Sequence, residues 1–192
     1  MIKVLKYSSI ALLMMSLAIH FSTYIPVEIF TINSVWMMHV AVIAVFGAMI
    51  FIAKKFKNEI KREPGKKYVG WFRKNMQLQF MNNNKLVFDT IPESLYFLGI
   101  VALIYVFINF ATCMFGMELG GPQIENGQFL LKNHDKVIRA LTETEFHKMK
   151  AYELRLFSGH WIIFSYIPTL FFTYVYPSTQ LKREQEAESN KR

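Results

Sequence analysis

Long apolar segments alternate with charged segments along the chain. Four windows contain no Lys, Arg, Asp or Glu, and they cover residues 7–27, 29–52, 94–117 and 157–181. A helix of about 20 residues crosses the roughly 30 Å of hydrocarbon in a bilayer, so each window is long enough to span a membrane. The predicted spans are residues 6–24, 35–53, 95–115 and 159–176. We therefore expect an all-α membrane protein with four transmembrane helices, forming a single domain over residues 1–192.

The charges outside these windows predict the orientation of the chain. The net charge is +8 although 53% of the residues are hydrophobic, a combination that suits a membrane protein with basic loops. Sixteen of the 22 Lys and Arg residues lie in the N-terminus, the 54–94 loop and the C-terminal tail, whereas six lie in the 116–158 segment. The positive-inside rule then places the N- and C-termini in the cytoplasm and the 116–158 segment outside. The chain is therefore expected to cross its membrane several times.

The cytoplasmic 54–94 loop contains a basic, amphipathic stretch. From Tyr68 onward, large apolar residues recur near helical spacing with basic residues around them. The pattern predicts an amphipathic helix on anionic membrane lipids, and its lipid-binding residues are Lys66, Lys67, Trp71, Arg73 and Lys74. Nucleic acid is the other partner class for such residues, but the neighbouring spans favour lipid, so we expect no nucleic-acid partner. Residues 178–192 are expected to form a disordered cytoplasmic tail.

The 116–158 segment is predicted to be a small folded element. "GMELGGPQIENGQ" is rich in turn residues, and "QFLL" and "KVIRAL" flank the turn "KNHD", which predicts a β-hairpin over residues 128–141. Thr142 and Glu145 have the spacing of a capping box. We expect a helix over 143–157 that leads into the fourth span, with a break near Ser158 and Gly159, and a kink at Pro168. A hairpin alone is marginal in water, so it must pack on the helix, the membrane or a partner.

Two motifs in this region resemble a family of small uncharacterised bacterial inner-membrane proteins. The run "NGQFLLKNHDKVIRALTETEF", followed by "ELRLFSGHW", is similar to a pattern of Asn-Gly-Gln-Tyr-x-Leu-x-Asn-His-Gly, then Thr-x-x-Glu-Tyr, then Phe-Ser-Gly-His-Trp. This chain has Phe129 and Phe146 at the tyrosine positions and Asp135 at the turn glycine, a residue that tolerates the left-handed conformation. The likeness covers about a fifth of the chain and implies location and topology, but no chemistry.

Three histidines are candidates for a site near the outer surface. His20, His39 and His160 fall within about one helical turn of the same level in the predicted topology, close to Asn109 and Glu28. Such a group could bind Zn²⁺ or Cu²⁺, or relay protons. The favoured alternative is that each histidine anchors the interface or bonds between helices, because the sequence has no paired His spacing. We expect no other cofactor.

The same reasoning makes residues 157–161 a structural junction before a site. Phe157 and Trp161 are four residues apart and share a helix face. Ser158 and Gly159 allow a bend and a close helix approach, and His160 needs a polar partner such as a headgroup, water or His39. The sequence lacks a nucleophile elbow, which argues against an enzyme.

Three functions remain open at this point. The favoured hypothesis is a structural or regulatory membrane protein whose extracytoplasmic element binds a protein partner. A second is an immunity protein against a membrane-targeting bacterial toxin, by analogy of architecture alone. A third is a metal- or proton-handling membrane protein that uses the outer-leaflet histidines.

Overall fold

The computed structural model describes residues 1–25, 33–60, 90–116 and 118–189. A 3₁₀ turn over Asn33–Trp36 leads into the second of five α-helices in this part of the chain. We number the helices α1 (Ile2–Ser22), α2 (Met37–Ile60), α3 (Glu93–Gly116), α4 (Glu143–Leu170) and α5 (Tyr176–Ser189). Between α3 and α4 lie three strands, β1 (Gly121–Glu125), β2 (Gln128–Asn133) and β3 (Lys136–Ala140).

The four apolar helices expected from the sequence are present. Within the described residues, four helical stretches are long and apolar enough to cross a membrane, over Ile2–Ser22, Met37–Lys55, Glu93–Gly116 and Glu143–Leu181. Residues 54–60 belong to the predicted cytoplasmic loop, but in the structure they continue α2 as far as Ile60. The predicted amphipathic stretch, with Lys66, Lys67, Trp71, Arg73 and Lys74, lies outside the described residues.

Helix α4 is the centre of the bundle. In its most apolar window 44% of the residues are buried inside the protein, against 22% or less in the other three apolar helices. The other three pack around it: α1 and α2 share the cluster of Met38, Val42, Leu154 and Trp161 with it, and α3 meets it through Gly99 and Tyr166. An apolar side chain elsewhere on α3, such as Phe107, is therefore left exposed on the outside of the bundle.

Small polar residues allow α1 to pack closely against α4. Ser9 and Ser16 on α1 and Thr23 directly after it are buried at intervals of seven residues, and Ser158 and Ser165 are buried with the same spacing on α4. The hydroxyls of Ser9 and Ser16 donate to carbonyls of their own helix, at 2.8 and 2.7 Å. Their polarity is thus satisfied locally while their small volume lets the backbones approach, as is typical of helix pairs in membranes.

The 116–158 segment holds an antiparallel sheet of order β1-β2-β3 packed on α4. The hairpin expected over 128–141 is present as β2 and β3, but the turn-rich stretch before it contains the additional strand β1. Asn126 and Gly127 both have positive φ, as a two-residue type I′ hairpin turn requires. In the second turn His134, and not Asp135, has positive φ. The sheet buries Leu131 against Leu141, Phe146 and Met149, so the hairpin packs on the helix.

The start of α4 is as predicted, but the expected break is wrong. Thr142 caps the helix, and both hydrogen bonds of the capping box with Glu145 are formed. Helix α4 then continues through Ser158 and Gly159 without interruption as far as Leu170. A continuous helix keeps every backbone hydrogen bond satisfied where the chain enters an apolar region. Gly159 serves close packing instead of bending.

The end of the chain is more helical than expected. Pro168 lies within α4, and a π-helical turn over Phe171–Val175 follows it before α5 begins. The disorder predicted from residue 178 onward is wrong as far as Ser189, because these residues form α5. Lys, Glu, Gln and Ala favour helix, and α5 starts directly on the preceding helical turn; residues 190–192 lie outside the described part.

Candidate functional site

The five residues 157–161, "FSGHW", contact three different helices. Ser158 bonds to α1, and Gly159 lies against side chains of α1 and α3. His160 meets Phe110 of α3 edge-on, whereas Phe157 and Trp161 pack on Trp36 and His39 at the start of α2. Phe157 and Trp161 thus meet the same two side chains, Trp36 and His39. We call residues 157–161 the FSGHW hub.

A fully buried histidine lies on the α1 side of the hub. His20 Nδ1 is 2.8 Å from Ser158 Oγ, and its Nε2 bonds to the hydroxyl of Tyr105 on α3. The Tyr105 hydroxyl is in turn 3.0 Å from that of Tyr24. One side chain therefore links three helices, and both of its ring nitrogens are engaged. A Ser–His pair is also the core of many hydrolases, but Ser158 has no exposed surface for a substrate.

The α3 side of the hub is formed by a buried amide. Asn109 Nδ2 donates to the backbone carbonyl of Arg155 at 3.1 Å. The thiol of Cys113, one turn later, is 3.7 Å from Asn109 Oδ1. A methyl group added to Gly159 would lie 2.7 Å from Asn109 Nδ2 and 3.7 Å from His20 Cε1. A Cβ atom at this position would therefore displace the side chain of Asn109.

Arg155, one turn before the hub, ties α4 to the end of α1. Its Nε donates to Thr23 Oγ1 at 3.0 Å, and its Nη2 donates to the Thr23 carbonyl at 2.6 Å. The guanidinium carbon is 3.9 Å from the ring centroid of Tyr24 and 5.2 Å from that of Tyr152, both within cation–π range. Its position is thus fixed from two sides by neutral groups.

The remaining two histidines are held by separate partners. The Trp161 indole N–H donates to His39 Nδ1, and His39 also meets Phe157 and Trp161 edge-on at 4.9 and 5.2 Å. His160 Nδ1 is 2.8 Å from the carbonyl of Leu156, one turn back on its own helix. The suggested bond between His160 and His39 is therefore replaced by bonds to Leu156 and Trp161.

The three histidines are bonded to protein groups and do not form one ligand set. Within residues 1–25, 33–60, 90–116 and 118–189, no group of three His, Cys, Asp or Glu side chains is arranged to hold a metal ion. His20, His39 and His160 each use at least one ring nitrogen in a bond to the protein. This is the bonding between and within helices that the sequence favoured, and metal binding stays a prediction.

A second polar centre joins the sheet to α4. Arg139 of β3 donates to both carboxylate oxygens of Glu118, at 2.6 and 3.1 Å, and to Glu145 at 3.0 Å. The hydrogen bond from Arg139 lowers the pKa of Glu118 below its usual range. The pKa of Glu145 is lowered mainly by its hydrogen bonds from the backbone and side chain of Thr142, and further by Arg139. We call these three residues the Arg139 clamp.

A groove of about 540 Å³ opens beside the clamp, at the edge of the sheet. Its walls come from the chain before β1 and from both sides of the second hairpin turn, and its lining residues are Glu118, Leu119, Asn133, Lys136, Val137 and Ile138. Leu119 is 85% exposed, and Val137 and Ile138 are about half exposed. Apolar side chains therefore face solvent on a polar-rimmed surface, which is typical of binding sites.

Sequence reasoning identified residues 157–161 as a structural junction. Separately, it placed His20, His39, His160 and Asn109 near one level. It did not find Tyr105, Tyr24 or Arg155 as their partners. The signal that could have identified Arg155 is its place as the last charged residue before an apolar window of 25 residues. No family model, curated protein or solved structure matches this chain.

Proposed function

We propose that this chain is a multi-pass protein of a bacterial inner membrane, with both termini in the cytoplasm and the 116–158 segment outside. The asymmetry of basic residues supports this orientation. Aromatic side chains that prefer the membrane interface lie beside the hub and beside Arg155, and they include Trp36, Tyr24 and Tyr152. Its role is structural or regulatory, with no catalytic step.

The function of the 116–158 segment is to bind a protein partner through the groove beside β3. The observation that carries this proposal is the exposed apolar lining of the groove at the end of the sheet where β2 turns into β3. Among the described residues, the outer edge of β3 pairs with no other strand. β3 pairs with β2 on one side and is the last strand in the sheet order. A free edge offers backbone donors and acceptors to an extended segment of another protein, and side-chain pockets then give specificity.

The charges of the groove indicate the chemistry of the partner. Glu118 is already paired with Arg139, whereas Lys136 has no carboxylate within ion-pair distance among the described residues. A segment that carries apolar side chains and an acidic residue would cover Val137 and Ile138 and neutralise Lys136. We therefore expect an extended, acidic-apolar segment of a protein outside the membrane.

Photo-crosslinking in living cells tests this function. A photoreactive phenylalanine analogue at Ile138 should give one discrete adduct. The control is the same analogue at Gln128, an exposed residue at the start of β2, and it should give none. Lys136→Glu should abolish the adduct because it reverses the charge that the partner neutralises. Equal labelling at both positions, or labelling that is unaffected by Lys136→Glu, would exclude the groove. A toxin in the adduct would specify the immunity role, and a second copy of this chain would exclude a foreign partner.

Reporter fusions test the topology separately. A reporter after Arg192 should be active in the cytoplasm alone, and a reporter inserted near Asn126 should be active outside alone. A C-terminal fusion that is active outside would contradict the proposed orientation, whatever the crosslinking result.

A further inference from the structure

Three of the six Lys and Arg residues in the 116–158 segment have an acidic partner. Lys132 lies 2.8 Å from Glu125, Lys150 lies 2.9 Å from Glu153, and Arg139 is held by two carboxylates. Arg155 differs, because none of the carboxylates in the described residues lies within 4.0 Å of it. It is also half-buried, while the other unpaired cations, Lys136 and Lys148, are exposed.

Neutral groups hold the guanidinium of Arg155 in place, and one of its nitrogens makes no hydrogen bond to the described residues. Nε and Nη2 donate to Thr23, and the Tyr24 ring covers one face at 3.9 Å. Nη1 has no acceptor among the described residues. A half-buried cation without a counter-charge is costly, whereas an arginine held by its neighbours loses little entropy when it binds an anion.

The position of Arg155 indicates which anion is available. It lies one turn before the FSGHW hub and between two tyrosine rings, Tyr24 and Tyr152. Tyrosine is enriched at the level of lipid headgroups, where the phosphodiester is the common anion. Guanidinium groups match phosphate oxygens in geometry and charge, and such charge-assisted hydrogen bonds are among the strongest in proteins.

We propose that Arg155 binds the phosphodiester of an anionic phospholipid in the outer leaflet through its free Nη1 edge, with Tyr24 and Tyr152 as the walls of the headgroup site. This site rests on the membrane placement proposed above. It differs from the predicted lipid contacts of the 54–94 loop, which concern the opposite leaflet. An anionic lipid binds here more tightly than a zwitterionic one, because its headgroup brings no competing cation.

The test measures the thermal midpoint of the full-length protein in a neutral detergent while a ligand is titrated. Phosphatidylglycerol should raise the midpoint in a saturable way, phosphatidylcholine should raise it less, and inorganic phosphate at the same concentration should leave it unchanged. Arg155→Gln should weaken the apparent phosphatidylglycerol affinity roughly tenfold, the loss expected for one charge-assisted bond. Lys148→Gln, an exposed cation on the same helix, is the matched control and should respond like the wild type.

Three results would overturn the proposal. The first is an equal response of Arg155→Gln and wild type to phosphatidylglycerol, whatever their midpoints without lipid. The second is an equal effect of inorganic phosphate, which would make the ligand a free anion. The third is a clear gain in phosphatidylglycerol affinity in Glu28→Gln, because Glu28, which lies outside the described residues, would then be the counter-charge that occupies Arg155 in the wild type. The assay is independent of orientation, so failure of the topology would be detected by the reporters instead.

Discussion

Adding one methyl group at Gly159 should loosen the bundle at the FSGHW hub. In Gly159→Ala the new Cβ would lie 2.7 Å from Asn109 Nδ2, closer than such atoms approach. Asn109 would have to rotate away, and its hydrogen bond to the Arg155 carbonyl would be lost in a buried site. The perturbation is therefore confined to one amide and one carbonyl between α3 and α4.

The expected loss follows from three contributions. Forcing an extra carbon into a packed core costs about 1–3 kcal/mol, and the lost buried hydrogen bond costs about 1 kcal/mol. Replacing glycine by alanine within a helix gains about 1 kcal/mol. The free energy of unfolding should therefore fall by about 1–3 kcal/mol. At Gly47, where nothing lies within 4 Å of the added methyl, the same substitution should raise it by about 1 kcal/mol or leave it unchanged.

A double-mutant cycle identifies the cause of the loss. In an Asn109→Ala background the clash disappears, so Gly159→Ala should no longer destabilise the protein. The coupling free energy should be about 1 kcal/mol or more. The assay is reversible unfolding in mixed detergent micelles, followed by tryptophan fluorescence. An equal effect of Gly159→Ala in both backgrounds, or equal stability of the Gly159→Ala and Gly47→Ala variants, would refute the reasoning.

Three further predictions concern other parts of the chain. Thr142→Ala should reduce the free energy of unfolding by about 1 kcal/mol because it removes the capping box, whereas Thr112→Ala, whose hydroxyl bonds within its own helix, should change it little. The lowered pKa of Glu118 and of Glu145 means that the Arg139 clamp stabilises the fold at neutral pH and loses that effect as the pH falls below the usual value of 4.5. Amide exchange in β3 should therefore accelerate in acid. Arg139→Gln should reduce this dependence, and the part that comes from the Thr142 hydrogen bonds to Glu145 should remain. A peptide of residues 63–80, from the loop outside the described residues, should bind anionic vesicles. When Gln replaces Lys66, Lys67, Arg73 and Lys74, binding should weaken by roughly 1 kcal/mol for each charge removed.

The long helices could be predicted from the sequence because apolar windows without charge have few alternatives. The hairpin of β2 and β3 and the cap of α4 could also be predicted, because their signals are local in sequence. The turn residues lie within a few positions of each other, and so do Thr142 and Glu145. β1 was missed although Asn126-Gly127 is a strong hairpin signal. Its strand, "GPQIE", begins with two residues that are rare in sheets.

The partners of the hub could not be predicted, because they are set by the arrangement of helices. Ser158 and His20 are 138 residues apart, and Tyr105 is 85 residues from His20. The sequence indicates that such residues share a level, but it does not indicate which faces meet. For the same reason the sequence left open whether Gly159 permits a bend or a close helix approach, because the answer depends on how closely Asn109 of another helix lies.

The most direct test of the account is the thermal midpoint of the protein in native membranes, measured for wild type, His160→Gln and Gly159→Leu with and without a metal chelator. If the hub acts through packing, the His160→Gln variant keeps a midpoint near that of wild type, the Gly159→Leu variant loses several degrees, and the chelator changes none of the three. The opposite result is a large fall in the midpoint of wild type with the chelator, together with an equally low midpoint of His160→Gln without it. In that case the histidines form a metal site and the packing account is wrong.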